Sequence, residues 1–112
     1  MVEINDHHNK IEKLRKDIDN IDDRIAELLN KRGEIAFEIG KIKKEHNLKI
    51  KQPKRENELI ERIGLKSTVY MKKNIQAIWK EIINASRELQ DSIAKNSKNY
   101  YSELKRKKTT KN

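Results

Sequence analysis

The chain has 112 residues, 40% of them charged and 4% aromatic, with three glycines, one proline and no cysteine. These proportions exclude a disulfide-stapled fold, thiol catalysis and zinc–thiolate sites, and they match long helices far better than a sandwich or barrel. The formal charge of +9 points first to nucleic acid, but residues 95–112 carry seven Lys or Arg against one Glu, a net of +6, leaving +3 for the other 94 residues.

The opening "MVEINDHHNKIEK" has no apolar run, and no later stretch approaches the length of a membrane span. A soluble, cytoplasmic protein without membrane contact is expected. From about residue 9 to residue 45 one long helix is predicted, ~55 Å at 1.5 Å per residue. Its apolar seam runs Ile11, Leu14, Ile18, Ile21, Ile25, Leu28, then Ile35, Ile39 and Ile42, at spacings of three and four. A period near 3.5 calls for lengthwise packing against another helix. A chain with so little else to bury is expected to close that seam against a second copy.

"HNLKIKQP" ends the pattern: Asn47 suits a C-terminal cap and Pro53 the first turn of the next helix. A short second helix, "KRENELIERIG", is read as ending at Gly64. A third, medium-long helix is read from about residue 69 to residue 94, with the seam Met71, Ile75, Ile78, Ile82, Ala85 and Leu89, and with Trp79, Ile83, Ser86 and Ile93 beside it. The expectation is an all-α chain of three helices in an intertwined homodimer. Residues 1–94 form one helical domain and residues 95–112 a basic, flexible tail that serves solubility.

One position breaks the first seam. Where an apolar residue should join Leu28 to Ile35, the chain has Arg32. A guanidinium does not shed its proton, so on an inner face it needs an anionic partner. Glu34 and Glu38 lie on other faces, which leaves an acid from another helix or an anionic ligand. Lys43 lies eleven residues on, ~20° around and ~16 Å along the helix. The two cations leave room for a small dianion between them, although a lysine can equally run outward along the flank. Arg15, ~25 Å before Arg32 on the same helix, cannot reach that ligand from its own chain. In an antiparallel pairing a second chain's Arg15 can; otherwise Arg15 pairs with a nearby acid on the surface.

In "INASRELQ", Ser86 and Gln90 are four apart and share a face below Trp79 and Ile83. "KRENE" adds Arg55 and Glu56. The three histidines read as surface residues, and no pair has metal spacing on a helix. No glycine-rich phosphate loop or supported Ser/His/Asp set is present. Cations and amides around an apolar pocket can bind and steer an anion, with little provision for proton transfer.

"LRKDIDNIDDRIAELLNKRGEIAFEIGKIK", "PKRENELIERI" and "IWKEIINASRELQ" together resemble the all-helical chorismate mutases, over about residues 11–93. The resemblance implies an intertwined dimer with two shared sites that turns the dianion chorismate into prephenate, without metal or cofactor. It implies that Arg15 crosses from the partner chain and that Arg32 binds a substrate carboxylate. Lys43 would contact the ether oxygen and a carboxylate, and Arg55 would hold the anionic side. Glu56 would accept from the ring hydroxyl, Ser86 would line the pocket and Gln90 would donate to the ether oxygen. Gln52, close to the substrate hydroxyl, stands where the family often has Asp. The related isochorismate-pyruvate lyases use a similar cationic pocket. A basic nucleic-acid-binding module and a purely structural coiled coil are the readings from other classes, and both leave Arg32 without a role.

Overall fold

The computed structural model describes the backbone of residues 2–110 and the side chains of residues 6–93. The elements are α1 (Val2–Glu45), α2 (Pro53–Lys66) and α3 (Lys72–Thr110), with no strand among the described residues. The chain is all-α with three helices. Helix α1 begins at Val2, ahead of the start near Asn9 that periodicity marks, so His7 and His8 lie on the helix. Helix α3 continues to Thr110, past the end expected near Ala94. The expectation of a flexible tail concerns side chains outside the described residues. The chain divides into two compact units, Met1–Arg32 and Gly33–Asn112.

The first unit is a length of α1. Its seam, Ile11, Leu14, Ile18, Ile21, Ile25 and Leu28, is exposed throughout, with 48% to 61% of each residue open. No residue from Asp6 to Lys31 is buried. Pairs one turn apart, Asp6 with Lys10 at 3.1 Å and Glu12 with Arg15 at 2.9 Å, line the helix surface. An isolated helix depends on such local terms, which are weak, and amphipathic helices draw most of their stability from packing.

The second unit holds the core: Ala36, Phe37, Leu59, Ile83 and Ile93 are buried, together with the Gln90 side chain. On α1 the inward face is Ala36, Phe37 and Gly40, while Ile35, Ile39 and Ile42 remain 62%, 44% and 54% exposed. Adjacent positions differ by ~100° around a helix. The second half of α1 therefore carries two apolar faces, one used within the chain and one left open. On α3 the buried residues are Ile83, Gln90 and Ile93, and the expected seam members Ile78 and Ala85 face outward. Of the residues read as flanking the seam, Ile83 and Ile93 are the buried ones.

Helix α1 stops at Asn47, whose φ of 55° is left-handed. Leu48 N–H donates to the Lys43 carbonyl at 2.8 Å and Asn47 N–H to the Lys44 carbonyl at 3.4 Å. This is a Schellman closure, and it satisfies two carbonyls that the helix end would leave open. Pro53 opens α2, as its fixed φ and missing N–H favour. At the other end α2 passes Gly64 and stops at Lys66, where Ser67 returns its hydroxyl to the Ile63 carbonyl at 2.8 Å. Gln76 of α3 donates to the Ile60 carbonyl at 3.1 Å and ties α3 back onto α2. Among the described residues no helix is long and apolar enough to cross a membrane.

Candidate functional site

The cap at Asn47 turns the backbone so that the Ile50 carbonyl comes back to α1. Lys43 Nζ donates to it at 3.1 Å from a half-buried position. The Lys43 stem therefore does not run out along the helix flank. An ammonium carries three N–H donors, so this contact orients Lys43 and leaves donors for an anion. The neighbouring Lys44 reaches the Ile93 carbonyl at 3.4 Å.

Gln52 is the N-cap of α2, but its side chain makes no capping hydrogen bond. Its carbonyl accepts from Glu56 N–H at 3.1 Å and starts the helix. The first N–H groups of a helix have no partner inside it. Gln52 and Arg55 line an open cleft of 700 Å³, along with Lys49, Lys51, Lys54 and Glu58. Four cations against one carboxylate make this surface attractive to small anions.

Ser86 and Gln90 lie one turn apart on the buried side of α3. Ser86 donates its hydroxyl proton to the Ile82 carbonyl at 3.1 Å. Gln90 Nε2 donates to the Ala36 carbonyl at 3.0 Å inside the core. That carbonyl can only accept, so the amide nitrogen faces it and the side-chain orientation follows. An amide nitrogen carries two N–H donors, and the second remains for another acceptor.

Glu56, in the first turn of α2, is half-buried and pairs with Arg87 of α3, Oε2 to Nε at 3.5 Å. Arg87 has no part in the sequence expectation. It follows Ser86 directly in the sequence, and its partner is thirty-one positions away in another helix. The available signal is a cation one step off the buried face of α3.

The other two expected residues belong to the first unit. Arg32, its last residue, is half-buried. Arg15 is exposed and paired with Glu12 at 2.9 Å. Within the second unit, Gln52 and Arg55 line one cleft, while the described contacts join Lys43 to the turn before α2, Glu56 to α3, and Gln90 to α1. No group of three or more metal-ligating side chains occurs among the described residues.

The sequence model of the chorismate mutase type II family matches residues 14–91. A bifunctional chorismate mutase/prephenate dehydratase from Aquifex aeolicus (strain VF5) is 38% identical over 89 residues, covering 75% of this chain and 25% of that protein. The chain thus spans about a quarter of the length of that curated relative. Among solved structures, a conserved hypothetical protein from Pyrococcus furiosus is 43% identical with a TM-score of 0.63, over 72% of this chain and 95% of that one. The chain belongs to the chorismate mutase type II family.

Proposed function

We propose that this protein is a homodimeric, cytoplasmic chorismate mutase that converts chorismate to prephenate on the route to phenylalanine and tyrosine. The reaction is an intramolecular [3,3] rearrangement: the ether C–O bond breaks as a C–C bond forms, and no proton moves. The catalyst must hold a flexible dianion in a compact, chair-like conformer and favour the negative charge that grows on the ether oxygen.

The observation that carries this reading is Gln90. A buried amide fixed by one N–H, with a second to give, is a preorganised neutral donor. Such a group suits an oxygen whose charge rises only in the transition state. Lys43, steadied by the Ile50 carbonyl, is the charged donor to the same ether oxygen and to a carboxylate. Arg32 takes a substrate carboxylate, the partner chain's Arg15 clamps the dianion from the other protomer, and Arg55 holds its anionic side. Glu56 accepts from the ring hydroxyl, Gln52 lies near that hydroxyl and Ser86 lines the pocket.

The open seam of α1 supports the dimer. Fully burying a Leu or Ile side chain stabilises by ~1.5–3 kcal/mol, and half-exposed ones retain roughly half of that to gain. The family match, residues 14–91, supports a catalytic domain within residues 1–94 and a tail, residues 95–112, outside it.

The test is a mixing experiment. Purified protein is given chorismate, its loss is followed by ultraviolet absorbance, and the product is assayed for prephenate, with isochorismate in a parallel cell. Prephenate formation that disappears in Arg32→Ala is the expected result. Pyruvate and salicylate from isochorismate, with little prephenate, would replace the mutase by the lyase.

A further inference from the structure

Arg87 is held between two polar groups from different helices. Its Nη2 donates to Asn84 Oδ1, one turn back on α3. Its Nε faces Glu56 Oε2 of α2 at 3.5 Å, with the two side chains 30% and 22% exposed. That Nε is buried and has no hydrogen-bond acceptor. The contact with Glu56 is thus ionic without being a formed hydrogen bond. Asn84 fixes one edge of the planar guanidinium, and a fixed plane fixes where the other edge points.

The consequence falls on Glu56. A carboxylate can accept about four hydrogen bonds. Arg87 attracts this one without forming a hydrogen bond to it, so its lone pairs stay open to a hydroxyl donor. The attraction also restrains a side chain with three rotatable bonds, at the first turn of a helix that has no side-chain cap. A glutamate restrained in this way accepts from one direction.

We propose that Arg87 is a positioning residue that orients the Glu56 carboxylate towards the substrate's ring hydroxyl. This rests on the mutase reading and on Glu56 as the hydroxyl acceptor. Arg87 touches no reacting atom; it sets how strongly the site distinguishes a ligand with that hydroxyl from one without it.

The experiment compares two probes by calorimetric titration: a bicyclic ether dicarboxylate that mimics the compact conformer and bears the hydroxyl, and the same dicarboxylate lacking it. A hydrogen bond to a charged acceptor corresponds to a preference of roughly 10- to 100-fold for the hydroxylated probe in the parent protein. Arg87→Met, which keeps the aliphatic stem, is expected to bring the preference within about threefold while the deoxy probe binds as before. Arg87→Lys restores part of the preference, and in a Glu56→Gln background Arg87→Met has no additional effect.

Equal weakening of both probes by Arg87→Met would reduce the contact to a tie between α2 and α3 and overturn the proposal. So would an unchanged preference. Circular dichroism and dimer mass control for folding, and Arg87→Gln takes the place of Arg87→Met if the latter does not fold. A parent protein that turns over chorismate while Arg87→Met keeps the full preference overturns this inference alone. A parent that neither turns over chorismate nor binds either probe overturns the mutase reading, and the inference with it.

Discussion

Gln90 reaches across from α3 and donates to the Ala36 carbonyl of α1 at 3.0 Å, in the core. The approach is possible because Gly40, one turn beyond Ala36, has no side chain. A Cβ built there would stand 2.8 Å from Gln90 Cγ and 2.7 Å from Ile93 Cδ1. A glycine in a helix interior costs ~1 kcal/mol against alanine. Its presence on this face follows from what passes over it.

Gly40→Ala is therefore expected to destabilise the protein, against its helix propensity. Overpacking a filled site costs ~1–3 kcal/mol, which exceeds the ~1 kcal/mol that alanine returns. The Gln90 stem has to move, so turnover falls while the substrate KM changes little. Urea denaturation at fixed protein concentration checks the first expectation and steady-state kinetics the second. An alanine variant as stable and as active as the parent would show that the helices separate freely here.

Lys43→Ala removes the proposed charged donor. Turnover is expected to fall by ~10²–10³-fold, the magnitude of losing one preorganised transition-state donor. The lost bond to the Ile50 carbonyl costs only ~1 kcal/mol of stability. Helical content and dimer mass should remain those of the parent. Turnover within a factor of two of the parent would remove Lys43 from the mechanism.

The proposed exchange of Arg15 between protomers makes a prediction that no single variant can. Arg15→Ala and Arg32→Ala each abolish activity alone. Unfolded together in equal amounts and refolded, they give mixed dimers in half of the population. One of the two sites in each mixed dimer has both arginines intact. About a quarter of the parental activity returns, as two-fold symmetry requires. No recovery from a properly refolded mixture would mean that Arg15 serves its own chain.

Gln52→Asp restores the residue that the family often carries before this proline. Aspartate is a strong N-cap, and Gln52 makes no side-chain cap here. The substitution is expected to raise stability by ~1 kcal/mol through α2. Thermal unfolding of the two proteins at equal concentration decides it. An unchanged or lowered midpoint would show that the backbone at position 52 does not admit the capping geometry.

The three helices, the turn at Asn47 and the start at Pro53 are legible in the sequence because each rests on local chemistry. Apolar spacing, a left-handed asparagine and an N-terminal proline act within a few residues. The choice of core face is less legible. Ile35, Ile39 and Ile42 outweigh Ala36 and Gly40 in hydrophobicity, yet the small residues are the ones that let α3 approach. The heavier face is left open.

The extension of α3 to Thr110 is not visible in an apolar pattern, since that stretch has none to follow. Within the site, Ser86 and Gln90 stand out by spacing, and Lys43 and Arg32 by charge near an apolar seam. Arg87 does not stand out, because its meaning depends on Glu56 in another helix. The carbonyl that holds Lys43 is equally hidden: the direction of a backbone group in a turn is not encoded in residue type.

Among the described side chains, the buried apolar ones are Ala36, Phe37, Leu59, Ile83 and Ile93. No residue of α1 from Asp6 to Lys31 is buried, and a helix without packing is marginal in water. In the proposed dimer a second chain covers this seam, and folding and encounter become a single bimolecular event. The unfolding midpoint then rises with protein concentration, as mass action requires. Dilution of that dimer is expected to remove the order of the helix, the neighbour and the proposed Arg15 contribution to the opposite site together. Activity per molecule is then expected to rise with abundance, with a threshold below which the polypeptide is present without the catalyst.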